Sequence, residues 1–364
     1  MQVPRVAYFI DELQLGGATR QLAVLVRALS PRAEPMVYCL SRRSEPLGAE
    51  LREAGIDVTV FERRLRWDPL FVRQLTRRLR EDGVHLVHGW LEASNAYAWL
   101  AARPLRLPVV FSLQSDRLNL PPMRRRAVAW MGRRADAWTV NSRAGRKYLV
   151  ETMGLPEARV TLVPNWLGVD LRPREGTAPG PPSIALVGRL VAMKRADLLI
   201  DALALLRDRG IDACVDIVGD GPERGSLEAR VAAAGLADRV RFAGMLMDVA
   251  PVIQRSACVV LPSEFEGLPN TAVEALAAGV PIVARPVGDL PDLVRDGSTG
   301  RLFTEGTADA LAHALSEVLA DDALAEAARR EGPTLVRERF SIDTAIGTLA
   351  PLYERLVTEA GTAG

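Results

Sequence analysis

Cys258-Val259-Val260-Leu261-Pro262-Ser263-Glu264-Phe265-Glu266-Gly267-Leu268-Pro269-Asn270-Thr271-Ala272-Val273-Glu274 is the stretch from which the fold can be read. The apolar run Cys258 to Leu261 makes a buried strand, and Pro269 followed by Thr271 to Ala278 opens a helix. Two carboxylates, Glu266 and Glu274, flank the helix start with seven residues between them. Free amides at a helix N-terminus hold phosphate; Glu274 near the first turn can accept two ribose hydroxyls, and Glu266 in the loop can accept hydroxyls of a hexose. An early helical acid also complements the macrodipole, and a loop glutamate is ordinarily solvated. Gly267, Pro269 and Asn270 lift the stretch above that reading, because they fix an unusual loop directly before the helix.

The same strand-to-helix alternation runs outward in both directions. Upstream, strands are expected at Ile184–Val187, Ala213–Val218 and Val240–Phe242, with helices at Asp197–Arg209 and Gly225–Ala234. Downstream come strand Pro281–Ala284 and helices at Ala308–Leu319 and Leu324–Glu338. The first half repeats the pattern: strands at Arg5–Ile10, Met36–Leu40, Val58–Phe61, Val84–His88, Val109–Leu113, Ala137–Asn141 and Val160–Pro164, with helices at Thr19–Leu29, Phe71–Arg80 and Ala93–Ala102. Between the halves, Arg174-Glu175-Gly176-Thr177-Ala178-Pro179-Gly180-Pro181-Pro182 is too dense in Pro and Gly for helix or central strand. The expected class is therefore α/β. Two doubly wound, Rossmann-like parallel-sheet domains, 1–173 and 183–341, are joined by the linker 174–182 and face each other across a cleft.

Size agrees with two domains, since 364 residues with 48% hydrophobic content exceed what one core usually serves. No apolar run approaches the ~18 residues of a membrane span, and Met1 to Ile10 lacks signal-peptide character, so a cytoplasmic location is expected. Cys39, Cys214 and Cys258 sit apart in apolar strands and read as reduced core residues. The net charge of +1 hides an asymmetry: residues 1–175 carry 28 Lys and Arg against 18 Asp and Glu, a balance of +10, and the remainder 18 against 27, or −9. Clusters at Arg63, Arg64, Arg66 and Trp67, at Arg73, Arg77, Arg78 and Arg80, and at Arg124, Arg125, Arg126, Trp130, Arg133 and Arg134 suit an anionic membrane surface or lipid carrier as well as a plain solvated face. No nucleic-acid motif accompanies them, so nucleic acid is not an expected partner.

Further chemistry gathers near strand ends. Arg189 and Lys194, in the loop after Ile184–Val187, can clamp a diphosphate; Lys194 is one of only two lysines in the chain, with Lys147. Gly16 and Gly17 let backbone approach a ligand or permit a turn. Gly219-Asp220-Gly221-Pro222 is read as a strand-ending turn, since Arg224 stands at the third glycine of a dinucleotide fingerprint. His85 and His88 end a strand, which would bring one of them to the cleft, yet with His313 they offer no metal spacing, and no metal is expected.

Taken together, Val187-Gly188-Arg189-Leu190 with Lys194, Ile217 to Pro222, Arg241-Phe242-Ala243-Gly244, the Glu266 to Glu274 pair and Ala278 to Ala284 resemble the retaining glycosyltransferases of family 4, also called glycosyl transferases group 1, of GT-B architecture. The resemblance covers nearly the whole chain. It implies that Arg189 and Lys194 bind the donor diphosphate and Glu274 the ribose. Glu266, with Gly267, Leu268, Pro269, Asn270 and Thr271, would take the sugar and phosphates. Gly244 would belong to the donor site, and Gly16 and Gly17 would approach the diphosphate from the first domain. It further implies a nucleotide-sugar co-substrate, no other cofactor and no metal. The acceptor would bind the first domain, favouring a glycan or lipid-linked acceptor and a peripheral position on the inner membrane face. The last segment, 342–364, resembles the helix that returns to the first domain.

Departures from the family pattern fall on the acceptor side. Ser112-Leu113-Gln114-Ser115-Asp116 has Gln114 where many relatives carry a histidine, Val163-Pro164-Asn165-Trp166-Leu167-Gly168-Val169-Asp170 stretches a common motif around Asn165, and Gly288-Asp289 replaces a frequent Gly-Gly. His88, Gln114 and Asn165 are the residues expected near sugar or acceptor. A nucleotide-sugar epimerase on the same fold and a degenerate nucleotide-binding relative are the alternatives; poverty in histidine speaks against the first, and intact Arg189, Lys194, Glu266 and Glu274 against the second.

Overall fold

A computed structural model of the chain describes residues 3–30, 32–62, 68–114, 122–168, 171–173 and 180–362, the side chains of 122 and 124 excepted. The sequence-singled residues Arg63, Arg64, Arg66, Trp67, Ser115, Asp116, Val169, Asp170 and 174–179 lie outside that set, as does the Arg124 side chain. The chain divides into two compact units, Met1–Pro164 with Ile342–Gly364, and Asn165–Ser341.

The first unit is built on seven parallel strands: β1 (Arg5–Ile10), β2 (Glu34–Cys39), β3 (Asp57–Val60), β4 (Leu86–Gly89), β5 (Val109–Leu113), β6 (Ala137–Val140) and β7 (Val160–Leu162), in the order β3-β2-β1-β4-β5-β6-β7. Parallel neighbours need crossovers, which here include the helices Gly17–Leu29, Pro69–Glu81, Glu92–Ala102 and Pro122–Gly132. Alternation along the strands fills both faces. Ala7, Phe9, Tyr38, Val87, Phe111 and Trp138 join one apolar core. Tyr8 pairs in register with His88, and Ser112 with Thr139. Those four are also buried.

The second unit holds six parallel strands: β8 (Ser183–Val187), β9 (Cys214–Val218), β10 (Val240–Gly244), β11 (Cys258–Leu261), β12 (Ile282–Ala284) and β13 (Gly300–Leu302), in the order β10-β9-β8-β11-β12-β13. Ile184, Leu186, Val215, Ile217, Cys258 and Val260 pack on one side against helices such as Ala196–Asp208. Ala185, Val218, Val259, Leu261 and Ile282 pack on the other against Asn270–Ala277. The chain leaves β8 toward β9 on one side while β11 lies on the other, which makes β8 and β11 the switch point where ligands of such sheets bind.

Some elements differ from the sequence expectation. β13 and the helices Leu47–Glu53, Pro122–Gly132 and Ala250–Arg255 were not anticipated. β13 is a three-residue edge strand, and the helix from Pro122 carries consecutive arginines that mask its apolar period. Cys39 and Cys258 are buried, whereas Cys214 is half-buried at a strand start. Among the described residues no helix is long and apolar enough to cross a membrane.

Candidate functional site

The switch point of the second unit is shaped by glycines that let two loops touch. Gly219 has φ 127, and a β-carbon there would lie 1.9 Å from the Gly188 carbonyl oxygen; one on Gly221 would lie 2.2 Å from that of Leu190. Leu190 N–H donates to Asp220 O at 2.9 Å. The Gly219–Gly221 segment is thus a strand-ending turn that holds the loop after β8, not a phosphate fingerprint. Gly244 ends β10 and accepts from Gly219 N–H at 2.7 Å, so it braces the same turn.

From this base the chain passes through the short 3-10 turn Ala192–Lys194 into Arg195, a non-glycine residue at φ 53. Its guanidinium donates to both carboxylate oxygens of Asp197, with Nη2 3.1 Å from Oδ2, and reaches Glu264 Oε1 at 3.3 Å. Glu264 N–H donates to Met193 O at 2.9 Å, so the basic loop and the acidic turn are stitched together by backbone and side chain. A left-handed conformation costs a side-chain-bearing residue about 1–2 kcal/mol. Arg195→Gly is therefore expected to leave stability near wild type, while Arg195→Ala keeps the strain, loses the bridge and unfolds about 1 kcal/mol more easily than the glycine variant. Urea denaturation of the two variants checks this, and the reverse order would refute it.

One step further along the turn, Lys194 Nζ lies 2.7 and 2.8 Å from the two oxygens of Glu266, and Ser263 Oγ donates to Glu266 Oε1 at 2.6 Å. The Glu266 side chain is 3% exposed and that of Lys194 21%. This adds to the sequence reading: Glu266 is a buried carboxylate rather than a solvated one, and Lys194 is not a lone cation. The two form one neutralised unit. Arg189 is exposed and pairs with no carboxylate among the described residues.

The rest of the acidic turn is fastened from beneath. Asn165 is buried and its Nδ2 donates to Leu268 O at 2.7 Å. Asn165, expected near sugar or acceptor, sits in the second unit and braces the turn. Gly288 has φ 58, and a β-carbon there would lie 2.3 and 2.5 Å from the carbonyl oxygens of Glu266 and Gly267. Asp289 N–H donates to Gly267 O at 3.0 Å. The Gly288-Asp289 departure from the family pattern is thus a support for the turn. Ser263, Glu264, Arg195 and Gly288 were missed as contributors; their signal was adjacency to Glu266 or a glycine between strand and helix, and neither names a partner.

The helix Asn270–Ala277 begins after Pro269 with no side-chain cap, leaving first-turn amides to be met by a ligand or water. Thr271 Oγ1 donates to Val187 O at 3.2 Å, tying the helix to the end of β8. The Oδ1 of Asn270 is shielded from solvent with no donor among the described residues. Glu274 is the fifth residue of this helix, hence in its second turn rather than its first, and is largely buried. Arg189, Lys194, Glu266 to Thr271 and Glu274 therefore gather at one end of the second sheet.

The remaining expected residues belong to the first unit. Gly16 has φ −175, an extended backbone open to any residue, and precedes the uncapped helix that Gly17 begins. Both are exposed. Gln114 follows β5 and is half-buried. His88, expected at a strand mouth, is fully buried: Nδ1 lies 2.7 Å from Tyr353 Oη, and Nε2 2.7 Å from Ser112 Oγ and 3.2 Å from Thr139 Oγ1. Tyr353 Oη also meets Tyr8 Oη at 3.0 Å. Burial lowers the His88 pKa to about 3, so the ring is neutral. Both of its nitrogens are engaged inside the unit. His85 Nδ1 accepts from Arg5 N–H at 3.0 Å. No group of three or more His, Cys, Asp or Glu suited to a metal ion occurs among the described residues.

Two family profiles match the chain, Glycosyltransferase Family 4 over residues 15–172 and Glycosyl transferases group 1 over residues 170–334. It is 34% identical over 242 residues to the 2-deoxystreptamine glucosyltransferase of Streptomyces kanamyceticus, spanning 63% of this chain and 62% of that protein. Identity is 30% over 279 residues to a GDP-mannose-dependent alpha-(1-6)-phosphatidylinositol monomannoside mannosyltransferase of Mycolicibacterium smegmatis, spanning 70% of this chain and 72% of that protein. Among solved structures, Anabaena Alr3699/HepE in complex with UDP and glucose superposes with a TM-score of 0.85 at 20% identity, over 97% of this chain and all of that one.

Proposed function

The chain belongs to the glycosyl transferases group 1, glycosyltransferase family 4, and from that we propose that it is a retaining glycosyltransferase moving a hexose-type sugar from a nucleotide sugar, a UDP-sugar by preference, to an acceptor hydroxyl. The observation that carries this reading is the convergence of Lys194–Glu266, exposed Arg189 and the uncapped amides before Thr271 on one sheet end. As the bond from the anomeric carbon to the diphosphate breaks, its electron pair leaves with the diphosphate. Arg189, Lys194 and the helix amides stabilise that charge in place, so the reading needs no metal ion. Glu266 fixes the ammonium, and Glu274 receives the ribose hydroxyls. The acceptor oxygen bonds to the anomeric carbon on the departing face, and its proton passes to a phosphate oxygen, which retains the configuration.

The acceptor is a glycan precursor, lipid-linked or at the cell surface, which places the enzyme at the inner membrane face. An epimerase would need acid and base side chains around the sugar. The three histidines are engaged elsewhere: His88 is buried with both ring nitrogens bonded, His85 Nδ1 accepts from Arg5 N–H, and His313 lies beside Glu317 on the helix Ala308–Ala320.

The test is thermal stabilisation by UDP-, GDP- and ADP-sugars. A UDP-sugar at ~100 times its dissociation constant is expected to add about 2.7 kcal/mol, and Glu274→Ala to lose most of it. If no nucleotide sugar stabilises the wild type, the reading fails. Product analysis with the stabilising donor, run in EDTA, then separates transfer with retention from epimerisation or mere binding.

A further inference from the structure

One face of the first unit gathers arginines that no carboxylate holds among the described residues. Many surface arginines of both units are paired, as in Arg5 with Glu34, Arg146 with Glu157 and Arg224 with Glu228. From Pro122 to Ala135 the sequence holds five arginines and no acid. Within this stretch the helix Pro122–Gly132 buries Ala129 and packs Val128 and Met131 against the core. Its outward side carries Met123, 82% exposed, and Trp130, 49% exposed. Positions 123, 126, 130 and 134 recur at helical spacing, so Met123, Arg126 and Trp130 share one stripe that Arg134 continues.

Arg134 lies over the Trp130 ring at 3.7 Å and donates to Trp130 O at 2.8 Å. Trp130 meets Trp99 edge to face at 5.7 Å, and Arg103 lies over Trp99 at 5.0 Å. Arg103, Arg125, Arg126 and Arg134 are exposed, and none pairs with a carboxylate among the described residues. The flanking acid Asp136 is taken by the Val109 amide at 2.8 Å.

We propose that this face docks on an anionic lipid bilayer, with Arg103, Arg126 and Arg134 on lipid phosphates and Trp130 and Met123 at the headgroup boundary. The charge alone would suit any polyanion. Exposed Met123 and an amphipathic, arginine-backed Trp130 favour a surface with an apolar layer beneath its charge. The proposal deepens the functional reading by giving the enzyme the membrane contact that a lipid-linked acceptor calls for, but vesicle binding requires neither donor nor transfer.

The experiment is co-sedimentation of the full chain with vesicles of phosphatidylcholine alone or of phosphatidylcholine and phosphatidylglycerol at 3:1. Binding is expected to the anionic vesicles alone. Since each basic side chain near such a surface strengthens binding about fivefold, Arg103→Ser with Arg126→Ser should weaken it about 25-fold. Brominated phosphatidylcholine mixed with phosphatidylglycerol should quench part of the tryptophan fluorescence, and that part should vanish in Trp130→Leu. Urea denaturation of each variant reports that the first unit, which holds the substitutions, is folded. No binding at low salt overturns the proposal, as does binding that the double substitution leaves unchanged. Binding to dextran sulfate of equal strength, without lipid quenching, overturns it in favour of a soluble polyanion. If vesicles bind but no nucleotide sugar stabilises the protein, the functional reading fails and this one stands.

Discussion

Lys194→Met is expected to cost about 3 kcal/mol of stability in the second unit and to lower sugar transfer by at least about a hundredfold. The stability loss follows from burial: Glu266, 3% exposed, would be left with Ser263 Oγ as its side-chain donor among the described residues. Glu266→Gln should cost less, because the ammonium it strands is 21% exposed and water reaches it. The double variant, Lys194→Met with Glu266→Gln, removes both charges and should recover most of the stability. Transfer should not return, since the cation that meets the leaving diphosphate is still missing. Urea denaturation and a transfer assay with the stabilising donor read the two halves of this cycle separately. Recovery of transfer along with stability would make the pair a scaffold with no part in the reaction.

How much of this was legible in the sequence depends on the separation of the partners. β1, β5 and β11 run between the residues expected from their apolar runs, because a strand buried on both faces announces itself by composition. The residues of the acidic turn were recognisable for the same local reason, a Gly-Pro loop before a helix. What could not be read was that Lys194 and Glu266, 72 positions apart, hold each other before they hold a ligand. Nor could sequence show that Asn165 reaches Leu268, 103 positions away, and so braces the turn. His88 is the sharpest case. A histidine at a strand end points to a cleft or to a core according to what packs over it, and the residue that covers it, Tyr353, lies 265 positions later on the helix Ile342–Thr362.

That covering gives His88 a measurable signature in acid. With a pKa of about 3 in the folded chain and ~6.5 when unfolded, the imidazole is neutral when folded and protonated when unfolded between those values. The unfolded state then binds more protons, so stability rises with pH through this window and falls as acid is added. The slope from this residue is about 1.36 kcal/mol per pH unit, or about 2.7 kcal/mol lost between pH 8 and pH 4.5. The cause is local: burial depresses the pKa, and the partners of the ring are the hydroxyls of Tyr353, Ser112 and Thr139, which carry no compensating negative charge. His88→Gln should be less stable at pH 8 by about 1–3 kcal/mol, because those buried hydroxyls lose a fitted partner. It should also lack the histidine slope, so its stability curve approaches that of the wild type as pH falls to 4.5. Urea denaturation followed by tryptophan fluorescence suits the comparison, since Trp90 lies edge-on to the His88 ring at 5.4 Å. Parallel curves for the two proteins across this range would mean that His88 is protonated in the folded chain, and that the buried network is opened to water in solution.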